Sequence, residues 1–151
     1  MSRSRREYPE HPLVGVGGLI HANGAILLIK RKFEPNKGRW SLPGGLLEVG
    51  EDPADGARRE VREEVGLEVE TEGLFQVANE VVRDDRGKIR YHFVLIDYLM
   101  KPLSERITLN EESEEYGWFQ AGEIEKRLDV SPNTKMIAKR FMEGRHGQSL
   151  R

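Results

Sequence analysis

The clearest periodic pattern in the chain is a helical one that begins directly after Asp52. Asp52 is a favourable N-cap, Pro53 suits the first helical position, and Gly66 can adopt the left-handed conformation that ends a helix. The pattern therefore predicts a helix over residues 53–65. The residues expected on its buried stripe are Ala54, Ala57, Val61 and Val65.

Strand-like patterns lie on both sides of this helix. Apolar-rich runs at residues 13–20 and 25–30 predict two strands joined by a tight hairpin turn at Asn23-Gly24. The other predicted strands are residues 46–49, 67–71, 74–82, 89–100 and 116–119. Strands before and after a central helix predict an α/β fold with helices layered on a mixed sheet.

Two further helices are predicted near the end of the chain. The first is short and covers residues 124–128. The second starts at Pro132, is capped by Ser131 and can end at Gly144. The side chains expected to cover the sheet from this last helix are Met136, Ile137 and Phe141.

Composition limits the class of protein. A chain of 151 residues is one domain's worth, and we expect a domain at residues 12–143 with loose tails at 1–11 and 144–151. The net charge of −2 gives no general attraction to nucleic acid or membranes. Without cysteine there is no disulfide, thiolate zinc site or thiol nucleophile, and the reducing cytosol is the expected compartment.

The acidic side of the predicted helix carries the first chemical signal. Glu60 and Glu64 are a like-charged i,i+4 pair beside the apolar stripe, and Glu63 lies a little further round. Such clustered carboxylates tolerate one another when a hard divalent cation binds among them. Oxygen-only ligands suit Mg²⁺ or Mn²⁺.

The same residues belong to a longer motif. Pro43-Gly44-Gly45 is followed, after five intervening residues, by Glu51 and, after seven more, by Arg59-Glu60-Val61-x-Glu63-Glu64-x-Gly66-Leu67. This spacing resembles the Nudix box at every specified position. The resemblance implies an α/β/α sandwich around a mixed sheet and hydrolysis of the phosphoanhydride in a nucleoside diphosphate linked to a group X.

The resemblance also implies roles for individual residues. The expected metal ligands are the Gly45 carbonyl and the side chains of Glu60, Glu63 and Glu64. Arg59 is placed in the catalytic group because its i,i+4 relation to Glu63 can orient that carboxylate. The expected structural or supporting residues are Glu51 and Gly66.

The general base stays open between two sources, because members of the family differ. One is a box glutamate, for which Glu63 is the candidate. The other is a carboxylate of the later acidic segment, whose pattern Glu112-x-x-Glu115-x-x-Trp118-Phe119 resembles the family. Glu112 is the candidate there, with Glu111 and Glu114 as alternatives and Glu115 expected to begin the strand.

The substrate is expected to be a small nucleotide. Arg31 and Arg39 lie in a basic loop that can meet a polyphosphate, and the region around this loop is similar to small prokaryotic ADP-ribose pyrophosphatases. One departure is that no proline occurs about 16 residues past the box; the nearest downstream is Pro102. The alternative is a MutT-like nucleoside triphosphate pyrophosphohydrolase, and a non-catalytic nucleotide sensor is the third reading. Dimers are common in the family, so a homodimer is an expectation as well.

Three features have two interpretations each. The glycines at positions 15, 17 and 18 indicate either a close approach to the first strand or a bulge in it. Trp40 is either a core anchor, which we favour, or a platform for a base. His92 is either structural, the commoner role, or in contact with substrate.

Overall fold

The computed structural model describes residues 6–144 of the chain. The strands are β1 (Leu13–Ala22), β2 (Ala25–Arg31), β3 (Trp40–Ser41), β4 (Gly44–Leu46), β5 (Val69–Arg83), β6 (Ile89–Pro102) and β7 (Ser113–Gln120). The helices are α1 (Pro53–Val65), α2 (Ala121–Lys126) and α3 (Pro132–Glu143). None of the helices within residues 6–144 is long and apolar enough to cross a membrane.

The strands form one mixed sheet. Its main order is β3-β2-β1-β6-β5, with β4 paired to β1 and β7 paired to β2. Strands β1 and β6 run parallel, whereas the other pairs are antiparallel. This confirms the predicted α/β class with a mixed sheet.

Alternate residues of the central strands divide the core in two. On one face, Val16 and Ile20 of β1 pack with Val61 and Val65 of α1. On the other face, Leu19 packs in a second cluster that also contains Ile124 of α2 together with Ile137 and Ala138 of α3. Because successive strand side chains point to opposite faces, one strand feeds both clusters. The result is a sheet between two helical layers.

Helix α1 has the predicted bounds and both predicted caps. The Asp52 carboxylate accepts hydrogen bonds from the backbone N–H groups of Ala54 and Asp55, and Gly66 adopts φ of 74°. The expected stripe is buried at Ala57, Val61 and Val65, while Ala54 is only half buried. A neighbour, Gly56, is buried instead, so the contact face is turned slightly from the predicted one.

Several predicted boundaries were wrong. The strand expected at residues 46–49 is Gly44–Leu46, and Val49 is fully exposed beyond it. The last strand begins at Ser113 rather than at Glu115, because it pairs along the whole of β2. The short helix predicted at residues 124–128 is Ala121–Lys126, since Gln120 and Glu123 form a capping box three residues earlier.

The glycines of β1 let neighbouring groups approach the strand closely. The β1–β6 register runs without a shift from Leu13 to Ile20, so the bulge interpretation was wrong. A Cβ on Gly17 would lie 2.8 Å from the Asp97 carboxylate and 3.0 Å from the Pro43 carbonyl. The missing side chain therefore makes room for a polar group of β6 on one side and for the loop before β4 on the other.

Trp40 is a core anchor, as favoured from the sequence. Its side chain is buried and its ring contacts Phe119 edge-on, with 4.9 Å between the ring centroids. His92 is partly exposed and pairs with Asn79 across β5 and β6 at 2.7 Å. This contact supports the structural interpretation of the histidine.

The segment before β1 contacts the β5–β6 hairpin. Glu7 accepts hydrogen bonds from Arg90 and from the Tyr91 hydroxyl, and the Tyr8 hydroxyl donates to Asp84 at 2.9 Å. Residues 7 and 8, which we expected in a loose tail, are thus tied to the domain by these partners. Residues 1–5 and 145–151 lie outside the described residues.

Helix α3 allows a direct test of the packing. Ile137 is fully buried, whereas Met136, which we expected to cover the sheet, is 43% exposed. We expect Ile137→Ala to lower the free energy of unfolding by about 2–5 kcal/mol through lost burial and a residual cavity. Met136→Ala, a control on the same helix, should change it by less than about 1 kcal/mol. Equal losses for the two variants in urea denaturation would contradict this packing.

Candidate active site

A cleft opens beside helix α1. Its volume of about 540 Å³ is within the range typical of small-molecule sites. Its lining includes β1, the loop around β4, one flank of α1, and the first turn of α3. The predicted site residues that line it are Arg31, Gly45, Arg59, Glu60, Glu63, Glu64 and Glu112. The structure therefore gathers most of the sequence-predicted residues around one cavity.

Gly45 is in direct contact with the acidic flank of the helix. It pairs with Val16 across β1 and β4, which holds its backbone against the sheet. A Cβ at this position would collide with the carboxylate of Glu60. Glycine is therefore required for the Glu60 carboxylate to lie against the backbone here.

Arg59 organises the acids around it. Its Nε and Nη2 donate to the two Glu51 carboxylate oxygens at 2.7 and 2.9 Å, a bidentate pair. Its Nη1 donates to Glu60 at 2.8 Å and to Glu63 at 3.1 Å, and Nη2 also reaches the Leu46 carbonyl. Arg59 thus connects the loop before the helix with two acids on it.

The contacts of Arg59 shift the pKa values of the groups in this cluster. The hydrogen bonds from Arg59 lower the pKa of Glu51 to about 2. They also counter the burial that raises the pKa of Glu60. The pKa of Arg59 is raised, mainly by its hydrogen bond with Glu51. The guanidinium therefore keeps a fixed positive charge between acids that would otherwise repel one another.

Glu64 is the most deeply buried of the helix acids. Its side chain is 4% exposed, and it accepts hydrogen bonds from the Ser113 hydroxyl at 3.2 Å and from the Gly44 backbone N–H. Burial raises the pKa of Glu64 to about 7, although the nearby Arg31 charge and the Ser113 bond oppose the shift. A buried carboxylate of this kind is stabilised in its charged form by any further cation that approaches it.

The donor set suits a hard divalent cation. The side chains of Glu60, Glu63 and Glu64 supply only oxygen atoms, which Mg²⁺ and Mn²⁺ prefer. Within residues 6–144, no three acidic, histidine or cysteine side chains form a compact metal cage. Instead, Glu60 and Glu63 both point their carboxylates at Arg59. By chemistry the three residues fit the ion, and in this structure Arg59 is the cation that Glu60 and Glu63 contact.

The later acidic segment contributes one residue to the cleft. Glu112 lines the cavity directly before β7, and its charge raises the pKa of Glu60 by repulsion. Its backbone is fixed on both sides, because its N–H donates to Asn110 and its carbonyl accepts from the Lys32 N–H. Glu111, Glu114 and Glu115 are exposed and absent from the lining, and Glu114 lies within β7 rather than in the loop.

Of the two arginines predicted to bind substrate, Arg31 lines the cleft and Arg39 does not. The β2–β7 register shifts between Lys30 and Arg31, and such an irregularity re-aims the side chain that follows. Arg31 lines the cleft, donates from Nε to the Pro35 carbonyl at 2.6 Å, and acts on the pKa of both Glu64 and Glu80. Arg39, just before β3, is exposed and absent from the lining.

The cleft also contains residues that sequence reasoning missed. Asp97, Glu80, Ser41 and Asn133 line it, and Arg6 reaches it from the segment before β1. The burial of Asp97 raises its pKa to about 7. One signal was available in the sequence, since Asp97 interrupts the apolar face of the longest strand pattern, where a charged residue has no ordinary packing role.

The family model described as the NUDIX domain matches residues 10–141, which is most of the chain. This protein belongs to the Nudix family. The match spans every element from β1 to nearly the end of α3, so the resemblance noted at the box extends to the whole fold. The chain is a Nudix pyrophosphohydrolase by family.

Three similar proteins illustrate the range of the family. An ADP-ribose pyrophosphatase of Methanocaldococcus jannaschii is 32% identical over 137 residues, covering 91% of this chain and 77% of that protein. The crystal structure of a MutT Nudix hydrolase from Burkholderia pseudomallei is 32% identical with a TM-score of 0.75, covering 86% of this chain and 98% of that one. The third is similar in fold alone. It is the crystal structure of a bifunctional NMN adenylyltransferase/ADP ribose pyrophosphatase from Francisella tularensis, complexed with AMP and a manganese ion. It is 23% identical with a TM-score of 0.66, and the match covers 89% of this chain and 42% of that one.

Proposed function

We propose that this Nudix protein hydrolyses the pyrophosphate bond of ADP-ribose, yielding AMP and ribose 5-phosphate, with Mg²⁺ as cofactor and Mn²⁺ as a substitute. The observation that carries the proposal is the shape of the polar lining. The acids proposed to bind the metal lie on the α1 flank of the cleft. The polar lining is extended along the sheet by Arg31, Glu80 and Asp97. A substrate with a sugar on each side of its phosphates needs contacts at both ends.

The residues that would hold the ion are Glu60, Glu63 and Glu64, with the Gly45 carbonyl beside them. When bound, a divalent ion lowers the pKa of water and offsets charge on the phosphoryl oxygens. Arg59 orients Glu60 and Glu63 through its Nη1 bonds and is itself anchored by Glu51. Arg31 supplies a positive charge on the β2 side of the cleft, where it can attract the phosphates.

The proposed acceptor of the proton from the attacking water is one of two carboxylates. Glu63 is exposed and contacts only Arg59 among the bonds described above, whereas Glu112 borders Glu60 from the opposite loop. Both line the cleft, and the base assignment stays open between them. Comparison of Glu63→Gln with Glu112→Gln separates the two, because only the base variant should remove the acidic limb of the pH–rate profile.

The second candidate function is hydrolysis of a nucleoside triphosphate. It is favoured by the missing proline after the box and by the MutT designation of a relative with 32% identity. A triphosphate needs its cations crowded at one end. The arginines that line the cleft are Arg6, Arg31 and Arg59, and Arg39 is not among them. Arg59 already donates to Glu51, Glu60 and Glu63, so it adds little positive charge for a triphosphate.

Side-by-side kinetics with Mg²⁺ test the choice. We expect kcat/KM for ADP-ribose to exceed that for each common nucleoside triphosphate by at least about tenfold, which is ~1.4 kcal/mol in transition-state binding. The four deoxynucleoside triphosphates and 8-oxo-dGTP form the comparison set. A preference for dGTP or its oxidised form would establish the triphosphate function instead.

A further inference from the structure

A buried polar wall closes the sheet side of the cleft, and none of the box residues belongs to it. Asp97 of β6 and Asn133 in the first turn of α3 line the cavity, and Gln76 of β5 lies directly behind them. Asp97 is 6% exposed and Gln76 is fully buried. Burial of such groups is costly unless their polar atoms find partners, so the arrangement needs a reason.

Gln76 holds the other two side chains in place. It lies opposite Asp97 in the antiparallel β5–β6 pair and donates a side-chain hydrogen bond to the Asp97 carboxyl group. The same amide nitrogen, Nε2, donates to Asn133 Oδ1 at 3.3 Å. An amide nitrogen carries two hydrogens, so Nε2 can serve both partners. Gln76 therefore positions Asp97 and Asn133 relative to each other.

One oxygen of Asp97 and Oε1 of Gln76 are left without a partner among the described residues. Oδ2 makes no hydrogen bond within residues 6–144, so the bond from Gln76 falls on Oδ1. The absent side chain of Gly17 gives this carboxyl group its space, since a Cβ there would lie 2.8 Å from Oδ1. Asp97 lines the ligand-sized cavity, and an unpaired acceptor on such a side chain points to a ligand with an N–H or O–H donor.

The sheet register gives the distance from this wall to the box. Gly17 pairs with Asp97 on one side and with Gly44 on the other. Two strand spacings separate the Cα atoms of Asp97 and Gly44 by roughly 10 Å. The Gly44 backbone donates to Glu64, so this separation also relates Asp97 to the acids of α1. In a nucleotide the sugar separates the base from the phosphate, and a nucleotide can therefore span from the box to Asp97.

The surroundings of Asp97 suit a flat ring better than a sugar. Phe93 and Leu95 precede it on β6, and both line the cleft. Phe93 is buried to 6% exposure, with its ring 6.2 Å from that of Tyr91. An aromatic side chain beside a polar group is a common arrangement for holding a planar, partly polar ligand.

We propose that Asp97 determines base specificity by accepting a hydrogen bond from the exocyclic amine of the nucleobase, with Gln76 as its positioning residue. The proposal rests on the proposed function, since it assumes that the phosphates bind at the box. It names the adenine ring as the group that Asp97 recognises. It also gives Gly17 a role, because any larger residue would displace the carboxyl group.

The experiment compares AMP with IMP by titration calorimetry in the presence of Mg²⁺. The two nucleotides differ at the base edge, where IMP carries a carbonyl in place of the exocyclic amine and an N1–H in place of the acceptor N1. The wild-type protein should bind AMP at least about tenfold more tightly, because the IMP carbonyl meets an acceptor. Equal binding of AMP and IMP by the wild-type protein would overturn the proposal without any variant.

The Asp97→Asn variant sharpens the test. Gln76 still donates to the remaining oxygen, so the new amide nitrogen takes the place of Oδ2 and presents a donor. The preference for AMP over IMP should therefore fall by about tenfold or more, and IMP should gain affinity. Asp85→Asn is the matched control, because Asp85 is exposed in the β5–β6 turn and lies outside the cleft. This control should keep the wild-type preference.

Two further outcomes decide the proposal. If folded Asp97→Asn keeps the wild-type preference, or if it loses affinity for ribose 5-phosphate rather than for AMP, the assignment to the base is wrong. Binding is measured without turnover, so it is independent of the substrate cleaved. An Asp97-dependent preference for AMP in a protein that does not cleave ADP-ribose would support this proposal and reject the proposed function.

Discussion

Glu64→Gln should lower Mg²⁺-dependent turnover by about 10²-fold or more, while the protein stays folded. Gln keeps the size of the side chain and most of its helix propensity, and it can still accept the Ser113 hydrogen bond. What it loses is the charge that a divalent ion requires. Loss of one electrostatic contact to the transition state typically costs a factor of this size, about 2.7 kcal/mol. Initial rates over a Mg²⁺ titration measure the effect.

The control for Glu64→Gln is Glu125→Gln, the same chemical change on an exposed site of α2. It should leave turnover within about twofold of the wild type. Circular dichroism and thermal unfolding check that both variants are folded. Near-normal Mg²⁺-dependent turnover by Glu64→Gln would remove this residue from the metal site.

Arg59→Lys should lower kcat by about tenfold or more and change KM much less. Lysine keeps the charge but cannot donate from three nitrogens at once to Glu51, Glu60 and Glu63, as Arg59 does. The acids would then lose their common orientation, which is needed in the transition state rather than for substrate binding. Steady-state kinetics with ADP-ribose separate the two parameters.

Arg58→Lys is the matched control on the same helix. Arg58 contacts Asp55 and Thr71 and is absent from the cleft lining, so its replacement should leave both kinetic parameters near the wild-type values. If Arg59→Lys raised KM alone, Arg59 would instead be a substrate-binding residue.

The fold and the box could be predicted because their signals are local. The Asp52 cap, Pro53 and Gly66 define α1 to the residue, since each acts within one turn of the helix. The Asn23-Gly24 turn joins β1 and β2 as expected, with both residues at positive φ. In these places local chemistry and tertiary structure agree.

The late part of the site could not be read from spacing, because it depends on pairing between distant strands. Glu112 lies at the cleft because β7 pairs with β2 along its whole length and Lys32 fixes the loop. Arg39 does not line it, although Asn36 before it and Ser41 after it do, and spacing alone gave no sign of this difference. Asp97 lies opposite Gln76 in the β5–β6 pair. The register of this pair contains shifts that no local sequence pattern predicts.

The most direct test of the central claim is identification of the products formed from ADP-ribose by the wild-type protein with Mg²⁺. The account predicts AMP and ribose 5-phosphate in equal amounts, with no product when the metal is chelated. Chromatography against standards resolves both products. Intact ADP-ribose under conditions in which a nucleoside triphosphate is converted to its monophosphate and pyrophosphate would contradict the account.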